Sequence, residues 1–255
     1  MVKLIYSGQD GEEAVPQAPR GAFEHAAFTR RGLARRTNDD HHCRIDRLGV
    51  FAVADGIGSS EAGGESAVQC LGHLEEQLSG AAEDDPEVRL RGALDWTNGR
   101  VLAQAWRSSG RGRHYGGCCV AGVVLAEAEG RTLIFHAGDS GVHRVSGGRC
   151  EPLTEAHLAP VGRNGRRSRV SSAIGLSPRP RIDIAAVPLG PGDAFLVHTD
   201  GCRFERLAEA SGDMLHLADD ESPADYIRRL EEMVVDSVAD DDATAILVRY
   251  RGEPV

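Results

Sequence analysis

Three apolar runs in this chain end abruptly at an aspartate. GVFAVADG reaches Asp55, TLIFHAGDS reaches Asp139 and DAFLVHTDG reaches Asp200, each beside a glycine. A fourth cluster, ADDDATAILV, places Asp241 just before an apolar run instead of after one. Short apolar runs bounded by Asp and Gly are typical of buried strands that end in turns. The chain therefore has to fold into a set of strands that carry carboxylates at their ends.

Carboxylates at four strand ends need a physical reason to be there. A single Asp-Gly pair has an ordinary interpretation as a turn, in which glycine adopts the required dihedral angles. Four such groups at one sheet edge would raise each other's pKa unless positive charge lay among them. Hard divalent cations, which bind carboxylate and carbonyl oxygens, supply that charge. Two such ions about 4 Å apart can activate a water and stabilise an in-line displacement at phosphorus.

The segment RRGLARRTNDD offers a cation for a phosphate group. Arg35 lies four residues before Asp39. Its planar guanidinium can donate two parallel hydrogen bonds to phosphate oxygens. The alternative from the sequence is an arginine on the solvated surface.

Charge and composition exclude several classes of partner. The net charge of −10 argues against nucleic acid or an anionic membrane as the main partner. No apolar run approaches the roughly 20 residues of a membrane helix, and the N-terminus lacks the pattern of a signal peptide. We therefore expect a cytoplasmic protein. The six cysteines show no zinc spacing, and we expect them to be reduced core thiols.

The sequence predicts a flexible arm over residues 1–20, and hydrophobic periodicity predicts a single domain over residues 21–255. Helices are expected over about 64–80, 86–107 and 223–238. The first has an apolar stripe of Ala67, Cys70, Leu71, Leu74 and Leu78. The second has an apolar stripe of Leu90, Leu94, Val101 and Ala105. Strands are expected over 22–30, 41–46, 49–54, 118–126, 132–138, 142–146, 149–153, 181–188, 194–199 and 243–250, with a hairpin turn at 147–148. The polar stretch 154–172 is expected to be a surface loop. Strands in adjacent runs and helices in pairs favour antiparallel sheets flanked by helices.

The order of the motifs points to a known family. Arg-x-x-Asn-acid-Asp at 35–40 is followed by Ala-Asp-Gly-Ile-Gly at 54–58, Gly-Asp-Ser at 138–140, Thr-Asp-Gly at 199–201 and Asp-Asp-Ala-Thr at 241–244. This series resembles the metal-dependent type 2C (PPM-type) Ser/Thr protein phosphatases, in their single-domain bacterial kind. The resemblance runs from about residue 22 to 250.

The resemblance implies an α+β fold in which two antiparallel β-sheets form a central sandwich flanked by helices on both sides, a four-layer αββα arrangement. It implies hydrolysis of phosphoserine and phosphothreonine on proteins, opposing a Ser/Thr kinase, with two Mn²⁺ or Mg²⁺ ions per domain. The expected partners are a phosphorylated protein substrate and a cognate kinase pathway, with no nucleic acid and no membrane. The alternative is a catalytically weak or silent relative that binds phosphoproteins as a regulatory module.

Site residues follow from the resemblance position by position. Asp55 matches the carboxylate that bridges both metals, and Gly56 the backbone carbonyl beside it. Asp200 and Asp241 match ligands of the second metal, Asp139 matches a ligand of a third, weaker site, and Asp39 stands where the family usually has Glu holding water at the metals. Arg35 matches the phosphate-binding arginine. The expected catalytic residues are Arg35, Asp39 and Asp55.

The sequence also departs from the family pattern. Ser60 stands at the position of a His proposed as the leaving-group acid, with metal-bound water, His42 and His157 as candidates to replace it. Phe204 stands where another Asp for the third metal is common, and Asp242 replaces the usual Asn. The segment 154–172 corresponds to the family's flap, with arginines at 163, 166, 167 and 169. Two interpretations stay open for it: recognition of an acidic or multiply phosphorylated substrate, or a solvated loop.

Overall fold

The computed structural model describes residues 23–58, 61–80, 85–108, 116–146, 149–161, 167–204, 207, 215–236 and 240–252. In chain order the elements are β1 (Phe23–Arg30), β2 (Asp40–Ile45), β3 (Val50–Ile57), α1 (Glu61–Gly80), α2 (Pro86–Ser108), β4 (Gly117–Ala126), β5 (Arg131–Ala137), β6 (Gly141–Arg144), β7 (Glu151–Pro152), β8 (Leu158–Val161), β9 (Arg167–Val170), β10 (Asp183–Pro188), β11 (Ala194–His198), α3 (Pro223–Asp236) and β12 (Ala243–Tyr250). The predicted arm over 1–20, Ser60 and the predicted turn at 147–148 lie outside the described residues.

Two five-stranded antiparallel sheets form the centre of the molecule. Sheet 1 has the strand order β1-β12-β11-β6-β7, and sheet 2 has the order β10-β5-β4-β3-β2. Successive side chains of a strand point to opposite faces, so each sheet can bury both faces. On β3, Phe51 and Val53 pack in the same cluster as Phe195 and Val197 of β11, which is the core between the sheets.

The opposite faces of the sheets are covered by helices. On sheet 2, Ala52 and Ala54 of β3 pack in one cluster with Leu71 and Leu94 of α1 and α2. On sheet 1, the outer residues of β11 and β12 pack in another with apolar residues of α3. Burying each such leucine contributes roughly 1.5–3 kcal/mol, and this is what holds the outer layers on. The described residues therefore form four layers, α1 and α2, sheet 2, sheet 1, then α3, and the predicted fold class is confirmed.

Most element predictions hold to within a few residues. Every residue of the two predicted helix stripes is buried. All six cysteines are free, and all but Cys150 are buried. No helix in the described ranges is long and apolar enough to cross a membrane.

The predicted loop over 154–172 was wrong in part. Residues 158–161 and 167–170 pair as the antiparallel strands β8 and β9, with Leu158 opposite Val170. The sequence reads as a loop because its polar residues outnumber its apolar ones. A two-stranded hairpin alone is only marginally stable in water, and this one is anchored at its base, where the backbone N–H of His157 donates to the Gly138 carbonyl at 2.8 Å. Between these strands, residues 162–166 lie outside the described part, and with them Arg163 and Arg166.

Candidate metal centre

Five aspartates converge at one end of the sandwich. In sheet 2, Asp55 lies near the end of β3 opposite Asp40 of β2, and Asp139 follows β5. In sheet 1, Asp200 follows β11 and Asp241 precedes β12. The predicted ligands Asp55, Asp139, Asp200 and Asp241 thus come from both sheets and meet where the two sheets face each other.

The pKa values of the aspartates are raised because their carboxylates lie close to one another. Burial raises the pKa of Asp55 well above its usual range, and the carboxylates of Asp40, Asp200, Asp139 and Asp241 raise it further. Burial, followed by the charges of Asp139 and Asp241, raises the pKa of Asp200 to about 7. Carboxylates that repel in this way are stabilised by a cation among them.

The donor atoms fit a hard divalent cation. Oδ1 of Asp40 and Oδ1 of Asp139 are buried and have no hydrogen-bond partner. Ligand atoms of Asp55, Asp139 and Cys119 lie within 4.8 Å of one another. Burial raises the pKa of the Cys119 thiol, which therefore stays protonated and is a poor ligand. The remaining donors are carboxylate oxygens, which suit Mn²⁺ or Mg²⁺.

Glycines let helix α1 approach the carboxylates closely. A Cβ on Gly56 would overlap the backbone of Gly63 in α1, and a Cβ on Gly63 would lie 2.8 Å from the carbonyl oxygen of Gly56. A Cβ on Gly64 would lie 3.1 Å from Oδ1 of Asp39. The Gly56 backbone is therefore held by its neighbours, at the position predicted to offer a carbonyl to a metal.

Arg35 lies at the edge of the aspartate cluster. Its Nη2 donates a 2.5 Å hydrogen bond to Oδ1 of Asp241, and both side chains are more than a third exposed. Asp39 is buried and accepts a hydrogen bond from Thr37, and burial raises its pKa. The structure thus brings the five predicted site aspartates, Gly56 and Arg35 into one region. Their individual roles remain predictions.

Asp242 is a structural support that the sequence did not reveal. Its Oδ1 accepts a hydrogen bond from the backbone N–H of Gly32 at 2.9 Å, and its Oδ2 accepts one from Asp39 at 2.8 Å. The buried carboxylate therefore ties the segment that carries Arg35 and Asp39 to the start of β12. The sequence signals were its place beside Asp241 and its departure from the family's usual Asn.

A buried hydroxyl supports the centre from below. Thr199 Oγ1 donates to Oδ2 of Asp40 at 2.8 Å and accepts from the backbone N–H of Thr244 at 3.0 Å. Despite this bond, burial raises the pKa of Asp40 to about 8. Asp40 was recognised only as part of a motif, and its full burial could not be read from the sequence.

His42 and His157, the two histidines suggested as the leaving-group acid in place of the histidine that the family has at position 60, lie elsewhere. Nδ1 of His157 is 3.3 Å from the backbone N–H of Gly138, and its Nε2 is 3.1 Å from Oδ2 of Asp183, so both ring nitrogens are engaged. His42 is buried in β2, where its pKa falls to about 3 through desolvation. Neither residue lines the pocket over the aspartates. The suggestion that either acts as the leaving-group acid therefore lacks support, and Ser60 itself is outside the described residues.

A pocket of about 630 Å³ opens above the cluster. Asp139, Asp200 and Asp241 form part of its lining, and the β8–β9 hairpin forms another part. Phe204, at the position where the resemblance suggested an extra metal ligand, is buried instead and packs on the rings of His143 and His198 at centroid distances of 4.3 and 5.1 Å. A phenyl ring offers no oxygen to a third metal.

Comparisons with known proteins identify the family to which this fold belongs. The family model described as protein phosphatase 2C matches residues 30–249. The solved structure of the PPM Ser-Thr phosphatase MsPP from Mycobacterium smegmatis, in complex with cacodylate, is 26% identical, with a TM-score of 0.73, 90% of this chain covered and 98% of that one. A search of curated proteins found no match.

Two more distant structures share the fold. PppA, a key regulatory component of T6SS in Pseudomonas aeruginosa, is 23% identical with a TM-score of 0.72, covering 89% of this chain and 97% of that one. The catalytic domain of the serine/threonine protein phosphatase PstP, in complex with two manganese ions, is 21% identical with a TM-score of 0.73, covering 90% and 99%.

Proposed function

Since the chain belongs to the protein phosphatase 2C family and is a protein-serine/threonine phosphatase, we propose that the aspartate cluster under its pocket is the catalytic centre. The substrate is a protein that carries phosphoserine or phosphothreonine, and the reaction reverses the work of a Ser/Thr kinase in the cytoplasm. One observation carries the proposal: five aspartates from two different sheets converge at one end of the sandwich, three of them line the pocket there, and Arg35 pairs with Asp241 beside them.

Asp55, Asp200, Asp241 and the Gly56 carbonyl would hold two Mn²⁺ or Mg²⁺ ions, and Asp139 would serve a weaker third site. The two manganese ions in the PstP structure support this number. When bound, the ions supply Lewis-acid activation of water and charge stabilisation at the phosphoryl group. The unpartnered Oδ1 atoms of Asp40 and Asp139 are consistent with such an occupant.

The chain's own residues perform the binding and orientation. Arg35 would hold phosphate oxygens at the edge of the cluster, where its guanidinium pairs with Asp241. Thr37 and Asp242 fix the side chain and the backbone of Asp39, which would orient water. Donors arranged before the substrate arrives lower the barrier because they need no reorganisation in the transition state.

A catalytically silent phosphoprotein binder is the second candidate. The buried Phe204, which cannot ligate a third metal, favours it. The complete set of Asp55, Asp200, Asp241 and Arg35 favours the enzyme.

Hydrolysis of p-nitrophenyl phosphate and of a phosphothreonine peptide, each with Mn²⁺ and with EDTA, tests the proposal. We expect both substrates to be cleaved with Mn²⁺ and neither with EDTA. Arg35→Ala should raise KM for the peptide and lower kcat, while calorimetry shows Mn²⁺ binding preserved. Peptide binding without any turnover would support the catalytically silent binder. Turnover that survives EDTA would contradict the metal mechanism.

A further inference from the structure

The turn after Asp200 contains the one described residue other than glycine with a left-handed backbone. Arg203 has a φ of 47°, and its backbone N–H donates to the Asp200 carbonyl at 2.8 Å. A side chain with a Cβ is disfavoured in this region, and such residues persist mainly where function requires them. A glycine would adopt the same turn without strain. The turn therefore holds an arginine at a position where the backbone favours glycine.

Arg203 also lines the pocket over the aspartate cluster. Arg169 of β9 lines the same pocket, together with apolar residues of the β8–β9 hairpin and Phe204. Among the hydrogen bonds and ion pairs of the described residues, none involves the side chain of either arginine, although Asp139 and Asp200 line the pocket beside them. Most other described arginines have a carboxylate, a carbonyl or an aromatic ring as partner.

Two guanidinium groups without a partner among the described residues, in one pocket with apolar residues, are suited to bind an anion. The planar fork of arginine binds a carboxylate or a phosphate through two parallel hydrogen bonds, and nearby apolar surface strengthens the attraction by excluding water. The acidic floor excludes anions other than the phosphoryl group that the metals would hold. A second anionic group would therefore bind on the wall, at the arginines.

We propose that Arg203, with Arg169, is an anion subsite that selects phosphoproteins carrying a second acidic group near the phosphorylated residue. This inference rests on the proposed function, because the subsite adjoins the proposed catalytic centre. The second group is a carboxylate or another phosphate. Its chemistry is the same in both cases, so the experiment has to distinguish the two sources.

The test compares three phosphothreonine peptides with Mn²⁺-loaded enzyme: one with neutral neighbours, one with flanking glutamates and one with a second phosphothreonine. We expect kcat/KM to be about tenfold higher for at least one acidic peptide than for the neutral one, mainly through KM, since a charge-assisted hydrogen bond provides an effect of this size. The peptide with the larger gain identifies the preferred anion.

Arg203→Gly is the decisive variant, because glycine relieves the strained backbone and the thermal midpoint should stay the same or rise. The ratio of kcat/KM for the acidic peptide over the neutral one should fall to about one, and Arg203→Lys should restore part of it. The control is Arg179→Ala, an exposed arginine outside the pocket lining, which should leave the ratio intact. An unchanged ratio in Arg203→Gly would overturn the subsite. Failure of the wild-type enzyme on all three peptides and on p-nitrophenyl phosphate would refute the proposed function instead.

Discussion

Asp242 shows how one buried carboxylate organises a catalytic segment. It accepts hydrogen bonds from the backbone N–H groups of Gly32 and Asp39, and no other described acceptor serves them. Asp242→Ala leaves these groups without a partner and should lower the free energy of unfolding by about 1–3 kcal/mol. Because the segment between them carries Arg35, KM for phosphopeptides should rise as well. Urea unfolding and steady-state kinetics measure the two effects.

Asp242→Asn is the matched variant. One amide oxygen still accepts a hydrogen bond, so the loss of stability should be smaller than for alanine. Equal stability of the alanine variant and the wild type would show that water satisfies both groups and that Asp242 is not a support.

Asp200 contributes charge to a cluster that repels itself. In protein treated with chelator, Asp200→Asn removes one of the charges that raise the pKa of Asp55 and Asp40. The variant should therefore melt at a higher temperature than the wild type in EDTA, and it should lose phosphatase activity in Mn²⁺. Calorimetric melting and a phosphopeptide assay provide the two readouts. A lower melting temperature in EDTA would mean that Asp200 serves mainly as a hydrogen-bonding residue.

At the scale of elements, sequence patterns predicted the strands and helices well because the burial of each face follows a simple period. Phe51 and Val53 alternate with Ala52 and Ala54 in β3, and the two sets pack on different layers. The β8–β9 hairpin was missed because its strands bury little and leave no such period. The sequence also did not predict the close approach of α1 to β3, because a glycine has no side chain from which its contacts could be inferred.

That close approach leads to a prediction for Gly56. Gly56→Ala would force the new Cβ into the backbone of Gly63, which cannot move without displacing α1. We expect a loss of about 1–3 kcal/mol in unfolding free energy. Because the carbonyl and Asp55 would shift together, we also expect a fall in kcat/KM of about a hundredfold.

Gly99 in α2 provides the control for this variant. A Cβ there meets nothing within 4 Å, so Gly99→Ala should stabilise the protein by about 0.5–1 kcal/mol and leave activity unchanged. If both alanine variants behaved alike, the contact between α1 and β3 would not explain why Gly56 is a glycine.

For the whole molecule, the clustered aspartates and the buried histidines affect stability with opposite signs. In the absence of metal, Asp40 and Asp200 keep their protons in the folded state up to about pH 8 and about pH 7, whereas unfolded aspartate releases them near pH 4. Their contribution to stability is therefore lost as pH rises. Burial lowers the pKa of His42 to about 3 and that of His198 to about 4. The contribution of these two histidines to stability is therefore lost as pH falls below about 6.5.

The two effects separate above pH 6.5, where His42 and His198 are neutral in the folded state while Asp40 and Asp200 still lose their protons. The melting temperature of the protein in EDTA should fall between pH 6.5 and 8, and Asp200→Asn should reduce that fall. With saturating Mn²⁺ the fall should be much smaller, because the cations neutralise the charge. A melting temperature that rises over this range in EDTA would contradict the carboxylate assignment.

The candidate site could be predicted from sequence only where its residues end an apolar run. Asp55, Asp139 and Asp200 stand out because a buried strand stops at a charge. Supporting residues such as Thr199 and Asp242 contribute through hydrogen bonds between segments more than 40 residues apart along the chain. Such contacts depend on the packing of the two sheets, which the local pattern does not contain.

Strand β12 follows every other described strand in the chain, yet it lies inside sheet 1 between β1 and β11. During synthesis on the ribosome, those two strands must wait with open edges until residues 243–250 leave the exit tunnel. Asp241 and Asp242 emerge directly before these residues and are set in place by the same pairing. We therefore expect a nascent chain to lack phosphatase activity until this strand is inserted, because its insertion completes sheet 1 and the candidate site in one step.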